Sequence, residues 1–150
     1  MKDYPCERLY RDARITNIYE GTTQMQVVAA IRHVFTGTYF AQMKSYQEEM
    51  LNPELDELKN RLANLVEIYE QLVLKVADTK DNEFIDFHSR RLVECAGHIL
   101  IGYLLLSDAN RLPEEFRRSA EVYINYGEAE VKKIKEFIER FTIESLQNYR

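Results

Sequence analysis

Pro53 to Val76 reads PELDELKNRLANLVEIYEQLVLKV, and its apolar positions Leu55, Leu58, Leu62, Leu65, Tyr69, Leu72 and Val76 alternate three and four apart without a break. Residues at that spacing line one stripe of an α-helix, and here most of the intervening positions are polar or charged. Asn52-Pro53 ahead of the stripe supplies a capping side chain and a first-turn proline. A helix with a single apolar stripe is stable only when that stripe is covered, so this stretch predicts a helical bundle.

Two downstream segments repeat the pattern. Ile85, His88, Leu92, Cys95, Ile99, Gly102 and Leu106 form the seam of a third helix, and its second half, His98 to Leu106 (HILIGYLLL), is apolar nearly all round. The third helix is therefore expected to be the most enclosed helix of the bundle. Pro113 opens a fourth helix on Phe116, Ala120, Tyr123, Gly127, Glu130, Ile134, Phe137 and Phe141. Upstream, Val28, Ile31, Phe35, Tyr39, Gln42 and Tyr46 carry the period of a first long helix from Gln24, weakened in its middle by Thr36-Gly37-Thr38.

The connections at Asp78–Asn82 and Ser107–Leu112 are short, which makes sequential helices antiparallel neighbours. The expected fold is all-α, an up-and-down four-helix bundle preceded by a short N-terminal helix and a turn. There is no internal repeat beyond the shared period. The break between residues 48 and 53 divides the chain into residues 1–50, with the turn and first long helix, and residues 51–150, an extension that completes the bundle.

Composition narrows the function classes. The 150 residues are 45% hydrophobic and 30% charged, with 5 Gly and 3 Pro, the balance of one globular domain with long elements and few turns. A net charge of -5 gives no basic footprint for nucleic acid and no polybasic face for a membrane surface. The run HILIGYLLL is about half the ~18 residues needed to span a bilayer, so no integral membrane segment is expected. Cys6 and Cys95 stand far apart without a CxxC pattern, and Met1 to Pro5 has no apolar signal core. Both features point to reduced, packed thiols in a cytoplasmic protein.

Carboxylates and histidines in a four-helix bundle invite a di-metal reading, which needs two Glu-x-x-His pairs and further glutamates on facing helices. Glu94 and His98 are four apart, once. Glu67, Glu70 and Glu130 do not complete a second set, and His33 and His88 have no partner at ligand spacing. No metal is expected. The tyrosines at 39, 46, 69, 103, 123 and 126 suit a bundle core or a contact surface.

Helix packing leaves Tyr4 to Gln26, YPCERLYRDARITNIYEGTTQMQ, unexplained. Pro5 to Arg14 predicts a short helix with Glu7, Arg8, Arg11, Asp12 and Arg14 in i,i+3 and i,i+4 pairs and a thin apolar stripe of Leu9 and Ala13. A helix this short is marginal unless docked. Arg8, Arg11 and Arg14 read as a solvated or docking face. Gly21 suits a tight turn, and Thr23 with Gln26 matches a capping box, so Glu20 sits in a turn beside a helix N-terminus.

Tyr4 to Ile15 followed by Ile18-Tyr19-Glu20-Gly21-Thr22 resembles the C-terminal signature of the FAD-dependent acyl-CoA dehydrogenases. The resemblance covers about one-sixth of the chain, and Cys6 stands where valine is commoner. The part from Glu48 onward resembles the extra C-terminal helical domain of some longer bacterial members. The resemblance implies an enzyme that oxidises acyl-CoA to trans-2-enoyl-CoA, the α-hydrogen leaving as a proton and the β-hydrogen as hydride to FAD. It implies Glu20 as the α-proton-abstracting base. Gly21 would lie against substrate, and Thr22, Thr23 and Gln24 against FAD at a helix N-terminus.

A carboxyl with an ordinary pKa near ~4.3 is a poor base for a carbon acid, and burial against flavin and acyl chain would raise it. The resemblance further implies acyl-CoA as substrate, an electron-transfer flavoprotein as electron acceptor and a homo-oligomeric full-length enzyme. Most of the family's catalytic body has no counterpart here, so the chain alone is expected neither to hold FAD nor to oxidise acyl-CoA. The contrasting expectation is a stand-alone helical interaction or oligomerisation module without catalysis.

Overall fold

The computed structural model describes residues 6–15 and 23–148. The described residues form seven α-helices: α1 (Cys6–Ile15), α2 (Thr23–Phe35), α3 (Thr38–Glu48), α4 (Asp56–Asp78), α5 (Asn82–Arg111), α6 (Pro113–Arg140) and α7 (Ile143–Gln147), with a 3-10 turn at Pro53–Leu55. The fold is all-α, as expected. α5 is the central element, packed against α6, α4, α2 and α3, and α4 also touches α6.

α4 is the helix that the sequence describes best. The cap expected for it serves the preceding 3-10 turn instead: Asn52 Oδ1 accepts from the Glu54 backbone N-H at 3.1 Å and Pro53 opens that turn, while α4 itself starts at Asp56 without a side-chain cap. Leu55, Leu58, Leu62, Leu65, Tyr69, Leu72 and Val76 are all buried. α5 starts under a similar device, Asp81 Oδ1 accepting from the Phe84 backbone N-H at 2.9 Å. Leu112 alone joins α5 to α6, and α7 opens on a Thr142–Ser145 capping box.

The first long helix differs from expectation. It is two helices, α2 and α3, parted at Thr36-Gly37, where Gly37 has φ 74°. Three poor helix formers in a row, one of them free to take a left-handed conformation, end α2 there. The break changes which residues reach the core: Val34 and Met43 are buried, while Val28 and Phe35 are exposed.

The stripe of α6 is also rotated. Its buried residues are Ala120, Ile124, Gly127, Val131, Ile134 and Ile138. Phe116, Tyr123 and Phe141 are partly buried along its flank, Phe137 is 37% exposed, and Glu130 pairs with Lys133 at the surface. Aliphatic side chains and glycine fill the narrow space between helices, and the larger aromatic rings cover its edge.

Arg61 of α4 reaches across to α6, donating to Glu128 Oε2 at 2.6 Å and to Asn125 Oδ1 at 2.6 Å. Arg61 and Lys132 together hold the Glu128 carboxyl below the usual carboxylate range, the Lys132 hydrogen bond first. The backbone N-H of Asn52 donates to Asn110 Oδ1 at 2.8 Å and ties the start of α4 to the end of α5.

At Gly102 the tip of the Leu62 side chain occupies the space a Cβ would need. A Cβ there would lie 2.7 Å from Leu62 Cδ2 and 3.7 Å from Ile124 Cγ1, between two buried residues. Gly102→Ala is expected to destabilise the bundle by up to about 2 kcal/mol, an overpacking cost of about 1–3 kcal/mol against the enclosed Leu62 offset by about 1 kcal/mol of helix propensity. A lowered urea midpoint with an unchanged m-value is the result that checks it.

Candidate functional site

Glu20, Gly21 and Thr22 lie outside the described residues. Thr23 and Gln24 open α2, and the cap expected at Thr23 also falls at this boundary. The described part of the site is therefore its frame, the two helices that flank residues 16–22 in sequence.

α1 carries two intrahelical ion pairs, Arg8–Asp12 at 3.6 Å and Arg11–Glu7 at 3.1 Å, both on the solvent side. Leu9, Tyr10 and Ile15 are 64%, 68% and 55% exposed. α2 packs on α5 through its Ile31–Val34 side and turns Met25, Val28 and Phe35 outward. The helices on either side of Glu20 thus present apolar surface that the bundle does not cover.

The first turn of α2 contains no acidic residue, and its basic residues, Arg32 and His33, stand at the other end. The leading N-H groups of a helix have no partner within it, so this end suits a polar or anionic group. That is compatible with the FAD contact implied for Thr23 and Gln24. Beside the break between α2 and α3, Val34, Phe35, Phe40, Tyr69, Val73 and Leu74 line an apolar cleft of about 190 Å³.

The histidines and acids considered for a metal take up other partners. Glu94 accepts from Arg90 Nε at 2.7 Å. His98 Nδ1 lies 3.3 Å from the Tyr123 hydroxyl, and its ring meets Tyr126 edge-on at 5.5 Å. His33 meets Tyr39 edge-on at 5.9 Å.

His88 is fully buried in a cage that its place on the α5 seam does not announce. The rings of Phe84, Phe87, Phe141 and Phe137 stand 4.4, 5.0, 5.9 and 6.0 Å from its own. Neither ring nitrogen has a hydrogen-bond partner. The Arg91 guanidinium closes the cage, 4.0 Å from the Phe137 centroid and 4.8 Å from that of Phe87. Burial first, then the positive charges of Arg91 and Lys75, lower the His88 pKa to about 4. The usable sequence signal was the phenylalanine set at 84, 87, 137 and 141.

Cys95 is a free, fully buried thiol, as expected for a packed cysteine, and burial pushes its pKa up to about 12. The thiolate is the reactive form, so Cys95 is inert in the folded chain. In a Cys6→Ser background, a disulfide reagent at neutral pH should leave the native thiol untouched and titrate it on unfolding. Rapid native labelling would contradict that burial.

Comparison with known proteins assigns both parts of the chain. The family model described as "Acyl-CoA dehydrogenase C terminal" matches residues 35–146, and that described as "Acyl-CoA dehydrogenase, C-terminal domain" matches residues 1–35. An acryloyl-CoA reductase (NADH) of Anaerotignum propionicum is 62% identical over 34 residues, 23% of this chain and 9% of that protein. An acyl-CoA dehydrogenase of Bacillus subtilis is 53% identical over 38 residues, 25% of this chain and 10% of that protein. The chain spans about a tenth of the length of these curated relatives.

The crystal structure of an acyl-CoA dehydrogenase family protein from Porphyromonas gingivalis superposes with a TM-score of 0.73 at 44% identity, covering 76% of this chain and 98% of that one. The bundle and the N-terminal signature thus lead to one assignment: this chain belongs to the acyl-CoA dehydrogenase family, as a C-terminal segment.

Proposed function

We propose that this chain is the C-terminal part of a FAD-dependent acyl-CoA dehydrogenase, with Glu20 as the base that removes the α-proton of an acyl-CoA thioester. The observation that carries this reading is the family match over residues 1–35, which includes the Tyr19-Glu20-Gly21-Thr22 motif. The uncovered apolar residues of α1 and α2 support it. Leu9, Ile15, Met25 and Val28 suit docking onto the catalytic body of a longer protein, which would form the other walls of the site.

Within that site the chain's own groups have distinct tasks. Glu20 takes the proton, and Gly21 lets the backbone pass close to the thioester. Thr22, together with Thr23 and Gln24 at the start of α2, holds and orients the cofactor, with the helix N-H groups facing it. FAD, when bound, supplies the redox chemistry by accepting the β-hydrogen as hydride.

Residues 51–150 are proposed as an accessory extension, with residues 1–50 forming the end of the catalytic part. The chain alone is proposed to be inactive and not to retain flavin. The full-length enzyme is placed in the cytoplasm as a homo-oligomer that passes its electrons to an electron-transfer flavoprotein. The test is anaerobic mixing of the full-length protein with short-, medium- and long-chain saturated acyl-CoA. Bleaching of bound flavin by at least one of them is expected, and a flavin that none of them reduces would reject the reading.

A further inference from the structure

The bundle leaves one face of its central helix uncovered. α5 is apolar and long enough, by length and composition, to cross a membrane, yet only 44% of its apolar window is buried by the other helices. Ile101 and Leu104 are 43% and 50% exposed, and beside them on α6 Val122 and Tyr126 are 61% and 53% exposed. The two pairs are level along the bundle. Gly102 of α5 stands opposite Ile124 of α6, and His98 opposite Gly127. A shallow groove lined by Leu105, Ser119, Val122 and Tyr126, with Glu114, Glu115 and Arg118 at its charged end, runs between the helices.

The charges around this patch follow a symmetric pattern. On α6, Glu115 lies seven residues before Val122 and Lys133 seven after Tyr126. On α5, Glu94 lies seven residues before Ile101 and Arg111 seven after Leu104. At about 100° per residue Glu115, Val122, Tyr126 and Lys133 lie within about 40° of one another on α6, whereas Glu94, Ile101, Leu104 and Arg111 wind through about 100° of α5. Each set runs acid, apolar pair, base along its helix, and the two midpoints are level. Among the described residues Arg111 and Glu115 have no ion pair, while Glu94 and Lys133 make only local ones, with Arg90 and Glu130.

We infer that the α5–α6 face is a two-fold contact between two copies of this chain, α5 against α5 and α6 against α6, antiparallel. A two-fold axis lying across both helices at their midpoints places Ile101 over Leu104 of the second copy and Val122 over Tyr126. The same rotation brings Glu115 onto Lys133 at both ends of the contact, and leaves Glu94 and Arg111 level with each other on the flanks of α5. This is the self-complementarity that an isologous interface requires. The stripe from Glu115 to Lys133 is about 27 Å long at 1.5 Å rise per residue, room for an apolar centre with a charged rim. The inference does not depend on Glu20, flavin or substrate.

The test is the mass of the 150-residue chain in solution by sedimentation equilibrium, with helical circular dichroism as the control for folding. The wild type is expected to associate to twice the chain mass. Glu115→Lys sets lysine against Lys133 twice per dimer, and Lys133→Glu sets glutamate against Glu115 twice, so each is expected to give the monomer mass. The double variant Glu115→Lys/Lys133→Glu re-forms both pairs with reversed sign and is expected to regain the dimer. A wild type that stays monomeric overturns the inference, including one that instead floats with phosphatidylcholine vesicles, which would give the face to a lipid surface. Association that survives both single variants overturns it as well. A double variant that remains monomeric rejects the antiparallel pairing, because a two-fold along the helices would set the introduced lysine against Arg111 and the introduced glutamate against Glu94.

Discussion

Glu20→Gln in the full-length enzyme is expected to abolish reduction of the bound flavin by acyl-CoA while the flavin itself stays bound. Glutamine keeps the size of glutamate and can accept a hydrogen bond through its carbonyl, but it cannot take a proton. Removing a positioned general base costs about 10²–10⁴ in rate, and a weak carbon acid puts the loss at the upper end. Glu20→Asp keeps the base and withdraws it by one methylene, so it should retain activity reduced by about 10²-fold. Anaerobic stopped-flow at the flavin absorbance reads both variants, and the flavin-to-protein ratio separates lost chemistry from lost cofactor. Reduction by Glu20→Gln at near wild-type rate would remove Glu20 from the role.

The bundle was legible because α4 offers an unambiguous choice. Polar residues separate Leu55, Leu58, Leu62, Leu65, Tyr69, Leu72 and Val76 well enough to leave one face to bury, and all seven are buried. α6 offers two apolar faces, an aromatic one through Phe116, Tyr123 and Phe137 and an aliphatic one through Ile124, Val131 and Ile138. Periodicity measures spacing, not volume, and the narrow gap between helices admitted the smaller side chains. At Gly37 the local backbone preference overrode a period that ran on through Tyr39 and Tyr46.

α5 shows the opposite limit. Its second half is apolar nearly all round, which led to the expectation that it is the most enclosed helix. It is central, but Ile101 and Leu104 remain at the surface. A helix without polar positions announces that its surface needs covering without saying how much of the cover lies within the same chain. The candidate site was legible only through motif: Glu20 lies outside the described residues, the other walls of its site are proposed to lie outside this chain, and the described frame of α1 and α2 carries no second catalytic group.

His88 should make the bundle acid-labile in a window that its three-dimensional setting defines. In the unfolded chain a histidine titrates near 6.5, whereas burial, Arg91 and Lys75 lower the folded value to about 4. Above pH 6.5 the ring is neutral in both states and the native cage is undisturbed. As pH falls below about 6.5 the unfolded state binds a proton that the folded state refuses, so stability declines by about 1.4 kcal/mol per pH unit until the folded pKa is reached. Over a window of that width the loss amounts to about 3 kcal/mol, a large share of the usual stability of a domain this size. Carboxylates begin to titrate at the lower edge, so the measurement is a difference between two chains. His88→Leu is close in volume, leaves no polar atom among the four phenylalanines, and removes two ring nitrogens that have no partner. Urea midpoints of wild type and His88→Leu should run close together at neutral pH and diverge as pH is lowered toward about 4, with the variant the more stable at acid pH. Parallel curves across that range would show that His88 is not held neutral, and the cage would then have to admit a charge that its phenylalanines and Arg91 are placed to exclude.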